Sequence, residues 1–180
     1  MCIAKGLGAG YQPIGAMLCR KSIYDVIGAG SGFFQHGHTY IGHPVACAAG
    51  LAVVSAILDR GLLDAVNQRS GQLFAALQAR FGNHPHVGDI RGRGLFIGLE
   101  FVQTRNDKTP FDPALKIAAK VKAAAFEAGL ICYPMSGTRD GRLGDHLLLA
   151  PPFILSASEA EELVAKVDTA MSQVPSLAAG

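Results

Sequence analysis

The sequence predicts an α/β fold in two parts, and three observations carry that prediction. Short continuous apolar segments (residues 95–102, 130–133 and 147–150) alternate with segments of helical period, the alternation that layers helices on a sheet. A stretch from Pro44 to Leu58 is small or apolar on all sides, the pattern of a helix buried all round. Around Arg60-Gly61 the composition shifts to an amphipathic pattern, which divides the chain into a first part, residues 1–60, and a second, residues 61–180.

Taken in order, the chain opens on a short apolar run that ends at Lys5, followed by a turn containing Gly6, Gly8 and Gly10. Residues 14–19 read as a short strand, and Ser22 is the expected N-cap of a short helix carrying Ile23, Val26 and Ile27. A glycine-rich loop, residues 28–37, leads to His38-Thr39-Tyr40, and Pro44 suits the first turn of the apolar helix.

From Leu62 the apolar positions Leu63, Val66, Leu73, Phe74, Leu77 and Phe81 recur on one helical face until Gly82-Asn83. Residues 95–102 follow as a strand and residues 113–128 as a helix turning Leu115, Ala118, Val121 and Ala125 inward. Strands are expected at residues 130–133 and 147–150, the second stopped by Pro151-Pro152. Ser156-Ala157-Ser158-Glu159 is a capping box, opening a last helix with Leu163, Val164, Val167 and Met171 inward. The Ala-Ala-Gly tail reads as disordered.

Composition narrows the function classes. With 180 residues and 49% hydrophobic side chains the chain can bury a core, which excludes a disordered protein. The formal charge of +2, with acids and bases interspersed, argues against nucleic acid or an anionic membrane as partner. The four cysteines lie far apart without a Cys-x-x-Cys pair, and they read as reduced, buried thiols of a cytoplasmic protein. The N-terminus makes a poor signal peptide, and the longest apolar run is too short to span a bilayer.

Lys5 is the first candidate for chemistry. With no carboxylate nearby in sequence and an apolar run on one side, its surroundings favour the neutral, nucleophilic amine that condenses with carbonyls. Read alone, it is equally a solvated lysine in a surface turn. His36, His38 and His43 have the spacing of a metal site, though loop-stabilising histidines account for them better and no metal is expected. The glycine run fails as a dinucleotide fingerprint, because Tyr11 and Pro13 stand where glycine is required.

The segments Lys5-Gly6-Leu7-Gly8-Ala9-Gly10, Gly37-His38-Thr39-Tyr40-Ile41-Gly42-His43-Pro44, Gly92-Arg93-Gly94-Leu95-Phe96-Ile97-Gly98-Leu99-Glu100 and Gly144-Asp145-His146 follow one another along nearly the whole chain. Together they resemble the class III pyridoxal-phosphate aminotransferases. The resemblance implies the C-terminal part of the aspartate-aminotransferase-like, fold type I architecture. Residues 1–60 would be a remnant of the large cofactor-binding domain and residues 61–180 the small C-terminal domain. It implies that Lys5 forms the Schiff base with pyridoxal 5′-phosphate and then shuttles a proton, and that Thr39 reaches the cofactor phosphate of the neighbouring subunit, which requires a homodimer. It also makes Arg142, and more weakly Arg139, candidates for gripping a substrate carboxylate; either is otherwise a solvated loop charge.

The family's aspartate under the pyridinium nitrogen, its ring-stacking aromatic and its own phosphate turn all precede the lysine and have no counterpart before Lys5. The resemblance therefore implies a fragment, inactive or nearly so alone and prone to associate through the exposed apolar helix. The function expected of the parent is transamination between an amine or ω-amino acid and a keto acid such as pyruvate. The alternative is a non-catalytic C-terminal dimerisation or docking module.

Overall fold

The computed structural model describes residues 1–175 and residue 177, so the Ala178-Ala179-Gly180 tail lies outside the described residues. The chain divides into two units, Met1–Leu62 and Leu63–Gly180.

The first unit holds two two-residue strands, β1 (Cys2–Ile3) and β2 (Ala16–Met17), paired antiparallel, and two helices, α1 (Lys21–Ala29) and α2 (Pro44–Asp59). The strand expected over residues 14–19 is confined to Ala16–Met17, since its partner β1 offers only Cys2 and Ile3; beyond that pair, Met1 N–H donates to Leu18 O (2.7 Å) and Leu18 N–H to Met1 O (2.8 Å). Ser22 is not the N-cap of α1. Arg20 holds that place without a side-chain bond, and Ser22 lies inside the helix.

In α2 only Ala46 and Gly50 are buried, while Val45, Leu51 and Leu58 are more than half exposed. A helix apolar on all sides is expected to be covered all round, and within this chain it is not. The cysteine expectation fails for the same reason. Cys2, Cys19 and Cys47, all in the first unit, are exposed, Cys132 is half-buried, and all four are free.

The second unit has a core. Helix α3 (Leu62–Phe81) is followed by the hairpin of β3 (Val87–Arg93) and β4 (Phe96–Phe101), by α4 (Ile117–Glu127), by β5 (Tyr133–Ser136) and β6 (Asp145–Leu149), and by α5 (Ala157–Ser172). The four strands form one antiparallel sheet in the order β3-β4-β6-β5. The register sets Ile90 opposite Leu99 and Leu99 opposite Leu147, with Ile97 opposite Leu149 in the neighbouring row. Because strand side chains alternate between faces, these residues share one face. Leu73, Leu77 and Phe81 of α3, Ile117 and Val121 of α4, and Leu163, Val167 and Met171 of α5 bury against that layer. The other face carries Arg91, Glu100, Tyr133 and Met135, with Arg91 donating at 2.9 Å to both Asp89 and Glu100.

Four boundaries differ from the sequence reading. Strand β3 was not expected, since Val-Gly-Asp-Ile-Arg-Gly-Arg buries only Val87 and Ile90. The strand placed at residues 130–133 lies at Tyr133–Ser136, and the one at 147–150 begins earlier, at Asp145. The helix expected over residues 113–128 is broken. A 3-10 turn, Pro113–Leu115, ends at Lys116 with φ 52°, and α4 starts afresh at Ile117, leaving Leu115 at the surface. The capping box stands as read: Ser156 Oγ accepts from Glu159 N–H at 3.2 Å, and Ser156 N–H donates to Glu159 Oε2 at 2.8 Å.

Candidate functional site

Beyond β1 the chain reaches Ala4 in extended conformation and then Lys5, which takes a left-handed φ of 52° and opens a 3-10 turn, Lys5–Gly8. Three turns follow in succession: Leu7 N–H to Ala4 O (3.1 Å), Ala9 N–H to Gly6 O (3.2 Å) and Tyr11 N–H to Gly8 O (2.8 Å). A left-handed lysine costs about 1–2 kcal/mol and is held only because neighbours fix it. The neighbours are on α2 and in the segment that leads into β2. A Cβ on Gly8 would meet Ile14 Cγ2 at 2.8 Å, and one on Gly50 of α2 would meet Ile14 Cδ1 at 3.1 Å. Glycine at both positions lets the lysine turn rest directly on the helix through Ile14.

Lys5 itself is exposed, so the apolar enclosure expected from its sequence neighbours is not supplied by the first unit. Among the described residues its amine enters no ion pair. It is a primary amine on a stiff, glycine-lined turn, open to a ligand.

Thr39 lies in the loop before α2, inside a turn closed by Ile41 N–H to His38 O (3.0 Å) that runs into one closed by His43 N–H to Tyr40 O (3.1 Å). Its side chain is exposed. The helix that follows is 16 residues long, starts with Pro44, and presents its positive end near this loop. His43 is the N-cap, its Nδ1 accepting from Ala46 N–H at 3.4 Å, which gives one of the three histidines a structural task. His36 and His38 meet edge to face, their ring centres 5.1 Å apart. Among the described residues no cluster of three or more His, Cys, Asp or Glu side chains could hold a metal ion.

The chemistry of these groups fits pyridoxal phosphate. Lys5 offers an amine for the aldehyde, and Thr39 offers a hydroxyl donor for an anion. Both belong to the first unit. Arg139 and Arg142 belong to the second, in the hairpin that joins β5 to β6, and both are exposed.

Two acids around that hairpin were given no role by the sequence reading. Asp145, 5% exposed, is the buried charged side chain among the described residues of the second unit. Its Oδ1 accepts from Ser136 Oγ at 2.9 Å and from Ala118 N–H at 3.2 Å, so a residue of β6 caps α4, whose own N-cap Lys116 makes no side-chain bond. The readable signal was an acid on the inward-facing side of an apolar strand. Asp140 accepts from Arg142 N–H at 2.9 Å and Leu143 N–H at 2.6 Å, and those bonds hold its carboxyl below the usual carboxylate range. The signal there was Asp-Gly in a turn.

Comparison with known proteins agrees with the motifs. The class-III aminotransferase family model matches residues 1–171. An aminotransferase of Gibberella zeae is 42% identical over 94% of this chain and 33% of its own length. The uncharacterised aminotransferase YodT of Bacillus subtilis is 38% identical over 90% of this chain and 36% of its own length. Among solved structures, a transaminase from the marine bacterium Virgibacillus superposes with a TM-score of 0.88 at 32% identity, over 97% of this chain and 39% of that one. An amine transaminase from an uncultivated Pseudomonas species, in its PLP-bound form, gives 0.83 at 35% identity, over 96% and 38%. The chain thus spans about a third of the length of these relatives, and its fold is that of the C-terminal portion of PLP-dependent transaminases. With the lysine turn, the loop before α2 and the four-stranded unit all matched, the chain belongs to the class III aminotransferases.

Proposed function

We propose that this chain supplies the lysine-bearing and carboxylate-recognising portion of a pyridoxal-phosphate-dependent transaminase that exchanges an amino group between an amine or ω-amino acid and a keto acid such as pyruvate. Residues 1–60 act as part of the cofactor-binding domain and residues 61–180 as the small domain. The observation that carries this reading is the exposed Lys5 amine on its left-handed, glycine-lined turn against α2, in a chain matched by the family model over residues 1–171.

Lys5 would hold the cofactor through its aldehyde, and its Nζ, when free, would carry a proton to and from the substrate carbon. When bound, the pyridoxal ring would supply the electron sink for the pair left on that carbon. Thr39 donates its hydroxyl to the cofactor phosphate of a neighbouring subunit, with the N-terminal end of α2 adding positive potential, so the working unit is a homodimer. Arg142 holds the substrate carboxylate. The free cysteines suit a reducing compartment, and among the described residues no single helix is long and apolar enough to cross a membrane.

The rest of the family fold packs on the uncovered apolar side of the first unit, where Leu51 and Leu58 of α2 stand exposed. The same observation favours a second reading, in which the polypeptide docks on a partner without catalysis. Reduction with borohydride in the presence of pyridoxal phosphate separates the two. Covalent label on Lys5, located by peptide mass spectrometry and absent from K5A, is expected. A relative labelled under the same conditions while this chain stays unlabelled at every lysine supports the docking module instead.

A further inference from the structure

The hairpin that carries Arg139 and Arg142 is fixed more firmly than an exposed loop needs to be. Arg139 N–H donates to Leu143 O at 2.9 Å and Gly141 N–H to Gly137 O at 2.9 Å, while Thr138 N–H reaches Gly144 O at 3.3 Å. Its neck admits only glycine. A Cβ on Gly137 (φ 74°) would stand 2.8 Å from Gly141 O, and one on Gly144 (φ 87°) would stand 2.9 Å from Thr138 Oγ1 and 3.2 Å from Arg139 N.

Inside this frame a single oxygen, Asp140 Oδ1, takes both remaining N–H groups, those of Arg142 and Leu143. The acid is two residues from one arginine and next to the other, yet among the described residues neither guanidinium has a carboxylate within ion-pairing distance. The negative charge is engaged by the backbone, and the guanidinium groups stay available.

We propose that Asp140 is a positioning residue, which fixes the backbone of Arg142 and leaves its guanidinium unpaired for the carboxylate of an amino- or keto-acid substrate. The inference rests on the assignment of Arg142 as the carboxylate-binding residue. It deepens that assignment to a substrate class: ligands with a carboxylate gain from the fixed loop, and amines without one do not. An arginine on a free loop pays conformational entropy each time it grips a ligand; a pre-set one pays less.

The test is competitive inhibition of transamination to pyruvate in the holoenzyme that contains this chain, with propionate and propylamine as probes of equal chain length. In D140A the inhibition constant of propionate is expected to rise about ten-fold, since two charge-assisted bonds that hold the loop are lost, while that of propylamine stays within about two-fold. D140N keeps an oxygen acceptor at Oδ1 and restores the wild-type propionate value, which distinguishes loop fixing from loss of charge. R142A raises the propionate constant at least as far as D140A. If R142A shifts propionate and D140A does not, the positioning role is overturned while the arginine assignment stands. If R142A leaves propionate unchanged, the arginine assignment falls and takes this proposal with it. Equal shifts for propionate and propylamine in D140A mean a general distortion and also overturn it.

Discussion

Asp145 gives the sharpest test of how the second unit is held together. Replacing it by alanine removes two bonds to Oδ1. Ser136 is exposed, so water takes over its hydroxyl at little cost, about 0.5 kcal/mol. Ala118 N–H is different: Ala118 is 4% exposed, and its amide lies in the first turn of α4 where no other side chain caps the helix. Leaving that donor buried and unpaired costs about 1–3 kcal/mol, and removing a carboxylate from a helix N-terminus adds about 0.5 kcal/mol. The expected loss is about 2–4 kcal/mol. With a urea slope of about 1.5 kcal/mol/M, the midpoint of the second unit falls by about 1.3–2.7 M. D145N retains an acceptor at Oδ1 and is expected to lose less than half as much. Urea titration followed by far-ultraviolet circular dichroism reads both. A D145A midpoint within about 0.3 M of wild type, or a D145N as damaging as D145A, refutes the capping argument.

Ser156→Ala breaks the capping box of α5 and should cost about 1 kcal/mol, read as a lower urea midpoint. His84 is held below its ordinary pKa of 6.5, chiefly by burial and then by the nearby His86 and Arg80, and His146 is lowered by burial and then by Arg91. For a base depressed in the folded state the unfolded chain takes protons first, so stability is full above about pH 6.5 and falls as pH drops below it. H84Q should flatten that slope in urea midpoints measured between pH 7.5 and 5.5; an unchanged slope in a variant lacking both histidines removes the explanation. Replacing the exposed Leu51 and Leu58 by lysine should lower self-association in light scattering and leave the unfolding of the second unit where it was.

Legibility in the sequence followed the physics of each segment. The apolar stripe of α3, the capping box of α5 and the proline start of α2 were readable because each rests on contacts only a few residues apart. Strand β3 was not, because its place in the sheet comes from pairing with β4 across a turn at Gly94 (φ 58°) and not from its own two buried residues. The break at Lys116 was hidden as well. Nothing local forces a lysine to φ 52°, and the conformation is stabilised from 27 residues away, where Asp145 Oδ1 caps the restarted helix. Lys5, Thr39 and Arg142 were proposed from a motif pattern, whereas the close approach at Gly8 and Gly50 beside the lysine turn and the Asp140 bonds to Arg142 and Leu143 N–H arise from the folded chain and leave no such pattern.

The misreading of α2 is the most informative. Its residues predicted burial on all sides, yet Val45, Leu51 and Leu58 face solvent, and the buried residues of the whole first unit are Gly8, Ala46 and Gly50. Two glycines and an alanine remove almost no apolar surface from water, so the hydrophobic term that offsets chain entropy in the second unit is nearly missing in the first. The turn around Lys5 nonetheless keeps a left-handed lysine and close contacts through Ile14. A segment with that much local strain and that little burial of its own gains its stability from what covers it. A surface that covered this unit would have to be apolar opposite Leu51 and Leu58 and open opposite Lys5. Replacing Leu51 and Leu58 by lysine tests that argument: if self-association is unchanged, the exposed apolar side of residues 44–58 is not a contact surface.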